Sequence, residues 1–116
     1  MEFQATTKYV RVSTRKVRLV ADSIRKLTPG AALVALTHTP KAAAEPITKT
    51  ISSAIANAKQ KGVEEKNLRF KTIEIMGGPV LKRFHAVSRG QAHSYKKRMT
   101  HIRVILEEEK KNGTKN

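Results

Sequence analysis

Between Gly77 and Leu106 the chain reads GGPVLKRFHAVSRGQAHSYKKRMTHIRVIL, thirty residues with seven Lys or Arg, three His and no Asp or Glu. Strand-like alternation brackets this stretch. Leu68 and Phe70 share one parity, Ile73 and Ile75 take the other, and Ile102, Val104 and Leu106 alternate again. A period of two marks a strand with one buried face. The change of phase between Phe70 and Ile73 marks a bulge or a swap of buried face. The midpoint falls near Ser88-Arg89-Gly90-Gln91, where Gly90 supplies turn chemistry. The simplest reading is one long β-hairpin from about 68 to 106.

The outer part of that hairpin has no apolar face to lay on a core. Phe84, Ala86, Val87, Ala92, Tyr95 and Met99 are scattered, and cations occupy both parities: Lys82, Lys96 and Arg98 on one, Arg83, Arg89 and Lys97 on the other. A two-stranded ribbon with neither face covered is marginal in water, so its partner must come from elsewhere. At ~3.3 Å per residue, an arm of about twelve residues reaches roughly 40 Å beyond the body. The same stretch also reads as a basic loop that orders only on binding.

The rest of the chain supplies a body. Residues 2–10 alternate loosely, with Phe3, Tyr9 and Val10, as in a short strand or extended arm. Val17, Val20, Ala21, Ile24 and Leu27 then follow the spacing of one helix face, with Ser13 as N-cap. Arg15, Arg18, Asp22, Arg25 and Lys26 gather on the opposite face, and Arg18, Asp22 and Arg25 have the spacing of a solvated ion-pair series. Pro29-Gly30 and Pro40 bracket a short second helix over about 31–37 that buries Leu33 and Leu36. Ile47, Ile51, Ala54, Ile55 and Ala58 define a third helix ending at Gly62. Its start is open between 41 and 46, because Pro46 must sit in the first turn or kink it. Small side chains in SSAIANA allow close approach to a neighbour. The charged end, EEEKKNGTKN, has no pattern and is expected to fray beyond about Lys110.

The 116 residues suggest one domain over 1–110, with the arm at about 77–101 and a flexible tail at 111–116. Five aromatic residues and no Trp leave the packing to Ala, Val, Ile and Leu. The net charge of +15 disfavours a compact chain unless a polyanion neutralises it. Nucleic acid is the leading partner and an anionic membrane surface the second. A membrane-surface mode fails because the cationic hairpin lacks a strong apolar face. No apolar stretch approaches the ~20 residues of a membrane span, and the N-terminus lacks the pattern of a secretory signal. With no Cys and no histidine spacing that matches a metal motif, neither a metal site nor a cofactor is expected. No nucleophile elbow or phosphate loop appears, so no enzyme activity is expected.

Two cationic clusters are the candidate RNA-binding residues. One is Lys8, Arg11, Arg15, Lys16, Arg18 and Arg25; the other is Lys82, Arg83, Arg89, Lys96, Lys97, Arg98 and Arg103. Folded RNA offers dense phosphate and is recognised largely by shape and backbone. Few aromatics accompany either cluster, which argues against base stacking as the main mode. A DNA-bending architectural protein with β-ribbon arms is the alternative. Such proteins insert an apolar wedge at the arm tip, and no Pro lies near this one.

The same residues carry a resemblance. Ser53-Ala54-Ile55-Ala56-Asn57-Ala58 matches the SAIANA segment of the bacterial large-subunit ribosomal protein L-twenty-two family. Arg11-Val12-Ser13 with Arg15-Lys16-Val17-Arg18-Leu19-Val20-Ala21 resembles that family's VRISPRKVRLVA opening. Gly78-Pro79, Lys82-Arg83, Gly90, Lys97-Arg98 and His101-Ile102 sit where its GP, KR, G, KR and HI stand. The match spans about 5–107. The chain departs at Val87 and Gln91, where members carry cations, and at Thr14 and Ala86, where they carry Pro.

The resemblance implies an α+β fold: a small three-helix body packed on a three-stranded antiparallel sheet, with a long projecting β-hairpin. It implies a structural constituent of the large ribosomal subunit in the cytoplasm, monomeric off the ribosome, which binds early in assembly and supports it. Its expected partners are large-subunit ribosomal RNA, neighbouring ribosomal proteins and, at the tip formed by Val87, Ser88, Arg89, Gly90 and Gln91, the nascent polypeptide in the exit tunnel.

Overall fold

The computed structural model describes residues 2–40, 42–86 and 92–109, and over 78–86 and 92–98 it is the backbone that is described. The first strand, β1, spans Glu2–Val10. Ser13 then caps helix α1, Thr14–Ile24, by accepting from the Lys16 amide, and Val17, Val20, Ala21 and Ile24 are buried as their spacing requires. The helix ends there, so Leu27 misses the apolar stripe and lies partly exposed. Helix α2 runs Pro29–Thr37, two residues earlier than the expected start. Thr28 is its N-cap and Pro29 its first helical residue, the position where a missing N–H costs nothing. Leu36 is buried, and Leu33 is packed against the core at its margin.

Helix α3 spans Ala44–Gln60, which leaves Pro46 in the first turn. Its end is a Schellman motif: Gly62 takes φ +84°, its amide donates to Lys59 O, and Val63 N donates to Ala58 O. A 3-10 turn, Glu65–Asn67, leads into strand β2, Leu68–Ala86, which pairs antiparallel with β3, Ala92–Glu108. The sheet order is β1-β3-β2, so the last of the described strands is the central one.

The three helices and the sheet share one core. Val17, Ile47, Ile51, Ala54, Ala58, Ile102, Val104 and Leu106 have no exposed surface. Each such Ile, Leu or Val contributes roughly 1.5–3 kcal/mol by leaving water. The architecture is therefore α+β, with three helices on a three-stranded antiparallel sheet, as expected. Small residues of α3 bring it close to β1, where Thr7 and Thr50 share a 2.7 Å hydrogen bond. The Thr50 proton goes to Pro46 O, so Thr7 is the donor to Thr50.

Three irregularities interrupt the ladders. Lys71 is an extra residue between Phe70↔Leu106 and Thr72↔Ile105. This is the bulge that the change of hydrophobic phase foretold. Lys8 and Tyr9 together oppose His101, and Gly78 and Pro79 together oppose Met99. The last two sit two residues apart along β3, where the hairpin leaves the core. A bulge bends a strand and raises its twist, and it admits a Pro that a regular ladder would reject. Beyond this level β2 and β3 continue in register to Ala86↔Ala92, and the molecule measures 74 Å along its longest axis against 24 and 18 Å across it. The turn proposed for 88–91 and the tail beyond Glu109 lie outside the described residues.

Candidate nucleic-acid interface

Charge is distributed unevenly over the fold. Six carboxylates hold a cation each: Asp22 with Arg25, Glu45 with Lys49, Glu64 with Lys66, Glu107 with Arg69, Glu2 with Lys71 and Glu74 with Arg103. Three of these pairs join strands of the sheet. In one, Glu2 raises the Lys71 ammonium above its ordinary value, first by a hydrogen bond and then by charge. Lys8, Arg11, Arg15, Lys16 and Arg18 are exposed and, among the described residues, have no carboxylate within ion-pair distance. All five lie between the β1 bulge and the middle of α1. The first turn of α1 contains no acidic residue. Arg15 and Lys16 therefore add their charge to the positive end of the helix dipole, an arrangement that favours an anion.

The β1–α1 connection is tied to the base of the arm by one buried hydroxyl. Thr100, with no exposed surface, donates to Val12 O at 2.6 Å. Its proton being committed there, Thr14 is the donor in the 3.2 Å bond between Thr14 and Thr100. Beside this connection is a groove of about 500 Å³ lined by Arg11, Val12, Ser13, Lys16, Leu19, Ala42 and Ala43. Its cations stand over an apolar wall that includes Leu19, 58% exposed.

Two cations of the first cluster turn back onto the body. Arg18 Nη2 donates to Ile75 O at 3.3 Å, and Arg25 Nη1 donates to Ile73 O at 2.7 Å while its Nε holds Asp22. Both carbonyls belong to β2, an edge strand. On the other edge, Asn57 Nδ2 donates to Gln4 O of β1 at 2.9 Å. Both sheet edges are thus capped by side chains, a common means of keeping an edge from pairing with another chain. Arg103, placed by the sequence in the hairpin cluster, stands opposite Glu74 and donates to it from Nη1 at 3.2 Å.

The remaining hairpin cations fall on paired backbone. The register sets Lys82 opposite Lys96, Leu81 opposite Lys97, Arg83 opposite Tyr95 and Val80 opposite Arg98. Two lysines directly opposed across a ladder repel one another unless a counter-charge lies nearby. The tip assignments, Val87, Ser88, Arg89, Gly90 and Gln91, lie outside the described residues.

One feature at the arm's base carried no sequence signal. Tyr9 adopts φ +61°, the only positive value outside glycine among the described residues. A side chain in this region costs about 1–2 kcal/mol. The Tyr9 amide donates to His101 Nδ1 at 3.1 Å, and the two rings meet edge to face, centroids 5.1 Å apart at 87°. No glycine marks the position, so nothing in the local sequence announces the left-handed residue.

Among the described residues, no three His, Asp or Glu side chains come together as a metal site. Nor is any described helix long and apolar enough to cross a membrane.

Comparison with known proteins agrees with this architecture. The chain is 42% identical over 111 residues to the large ribosomal subunit protein uL22 of Mesoplasma florum, covering 95% of this chain and 99% of that one. It is 44% identical over 107 residues to the protein of that name from Chloroflexus aggregans, covering 91% and 95%. A third, from Syntrophus aciditrophicus, is 44% identical over 109 residues, covering 93% and 99%. The family model described as ribosomal protein L22p/L17e matches residues 5–107, and the chain belongs to that family.

Proposed function

We propose that the chain is a structural constituent of the large ribosomal subunit that binds ribosomal RNA through phosphate contacts at two linked surfaces. The first is the β1–α1 connection with the start of α1. The second is the arm. The observation that carries this reading is the segregation of charge. In the body sheet Arg69, Lys71 and Arg103 are matched to carboxylates. Lys8, Arg11, Arg15 and Lys16 are not, and the arm opposes cation to cation. Folded RNA would supply the missing negative charge along both surfaces. Arg18, Arg25 and Arg103 contribute through their spare N–H groups where these reach the surface, and their first role is to hold the body together.

In this reading residues 1–110 act as one ribosomal-protein domain and the arm runs through folded RNA in the cytoplasmic ribosome. Its tip, Val87 to Gln91, meets the nascent chain in the exit tunnel. The body supports early assembly beside neighbouring ribosomal proteins. No catalytic step is assigned to it.

The test is the affinity of the purified full chain for deproteinised large-subunit RNA over a salt series. Log affinity should fall linearly with log salt, by roughly 0.7–0.9 per phosphate neutralised. Duplex DNA of equal length should bind more weakly at matched salt. A nearly flat salt dependence, or a preference for duplex DNA, overturns the proposal.

A further inference from the structure

The aromatic ring of Tyr9 is held at the root of the arm in a way the body's packing does not require. The residue is 60% exposed, although its backbone takes φ +61°. Strained backbone persists where the surroundings enforce it, and it concentrates at binding sites. Here the enforcement is visible. Lys8 and Tyr9 share one opposing residue, His101, and His101 Nδ1 accepts from the Tyr9 amide. The imidazole meets the phenol ring at 87°. A perpendicular contact of this kind occupies at most one face of the phenol ring, and the residue keeps 60% of its surface exposed.

We propose that Tyr9 is a stacking platform for one unpaired nucleobase of ribosomal RNA, with Lys8 and Arg11 receiving the phosphates on either side of it. A flat exposed ring between two exposed cations suits a nucleotide, which offers a π-face and a phosphate a few ångströms apart. Charge favours RNA over an apolar side chain of a neighbouring protein. Lys8, Arg11, Arg15 and Lys16 surround Tyr9 in sequence and, among the described residues, none has a carboxylate partner. Stacking is sequence-tolerant, since every base has a π-face, so the site fixes the position of a nucleotide rather than its identity. Its place on β1, two residues along β3 from the level of the β2 bulge at Gly78 and Pro79, puts that fixed nucleotide near where the body ends and the arm begins.

The inference rests on the RNA-binding reading above, and the experiment separates the two. Deproteinised large-subunit RNA is titrated with the full chain carrying Tyr9→Leu, Tyr9→Gly or Tyr9→Phe, each at several salt concentrations. Tyr9→Leu and Tyr9→Gly should each weaken binding on the order of tenfold or more, with the salt slope unchanged because no phosphate contact is removed. Tyr9→Phe should restore the affinity lost in Tyr9→Leu. Glycine accepts the left-handed backbone without strain, so Tyr9→Gly should unfold no earlier on heating than the unaltered chain. Weakened RNA binding in that variant is then not a folding defect. If all three variants bind RNA as the unaltered chain does, with its steep salt dependence intact, the stacking site is refuted and the phosphate reading stands. If a defect appears only in assembled subunits and not on naked RNA, the occupant is a protein and the proposal is overturned. If the unaltered chain shows no salt-dependent RNA binding, the wider reading fails and this one with it.

Discussion

Thr100 concentrates the demands made on single residues. It is polar, fully enclosed, and joined at once to Val12 O and Thr14. Thr100→Val preserves its shape and strands both partners, so we expect a loss of about 1–3 kcal/mol in thermal or denaturant unfolding. Thr100→Ser should recover most of it. Thr14 is the first helical residue of α1, a position that suits Pro. Arg25 makes two contacts, with Asp22 and Ile73 O. Arg25→Ala should therefore destabilise the body by roughly 1 kcal/mol, measured by the urea midpoint, and should leave the salt slope of RNA binding nearly unchanged. A drop of a full phosphate in that slope, with stability intact, would return Arg25 to the RNA surface. On a helical wheel Arg18 and Arg25 are indistinguishable from Arg15. Only the tertiary position of β2 shows that their side chains bend back to its carbonyls.

Among the elements, those with long periodic patterns were legible in advance. α1 and α3 follow their apolar spacing, and the bulge at Lys71 follows the switch from Leu68 and Phe70 to Ile73 and Ile75. α2 was legible only in part. Pro29-Gly30 reads as a turn, yet Thr28 capping Pro29 makes it a helix start. The bulge at Lys8 and Tyr9 was not legible at all, because a single ring and an imidazole 92 residues away hold it. Of the candidate site, the location of the cations was readable and their partners were not. The apolar core cluster reaches Ile75 on β2 and Ile102 on β3, and Met99 and Thr100 are buried just beyond it. Replacing about residues 80–98 with a short turn, which keeps the buried Met99 and Thr100, should accordingly leave a cooperatively folding body, and circular dichroism on heating would show this. Loss of the cooperative transition would place the arm inside the folding unit.

At the scale of the whole molecule, ion-paired cations in the body sheet and an arm whose sequence has no carboxylate predict different consequences for different cations. Changing Lys82, Arg83, Lys97 and Arg98 together to Gln should reduce incorporation into large subunits, quantified after a high-salt wash, because charge-assisted contacts to phosphate are lost along the arm. Arg89→Ala should leave incorporation intact and change, if anything, the response to particular nascent chains. The reverse pattern would contradict the threading arrangement. Strand order has a separate implication for how the protein is made. β1 and β2 flank β3 and join the sheet through it, and among the described elements β3 is synthesised after both. A nascent copy can form helices early, but its sheet waits for Ala92–Glu108 to emerge. A copy cut short before that strand has no ladder between its first and second strands, and so no frame on which to fold. Only a chain that includes β3 can therefore close its sheet and present its cations in one arrangement.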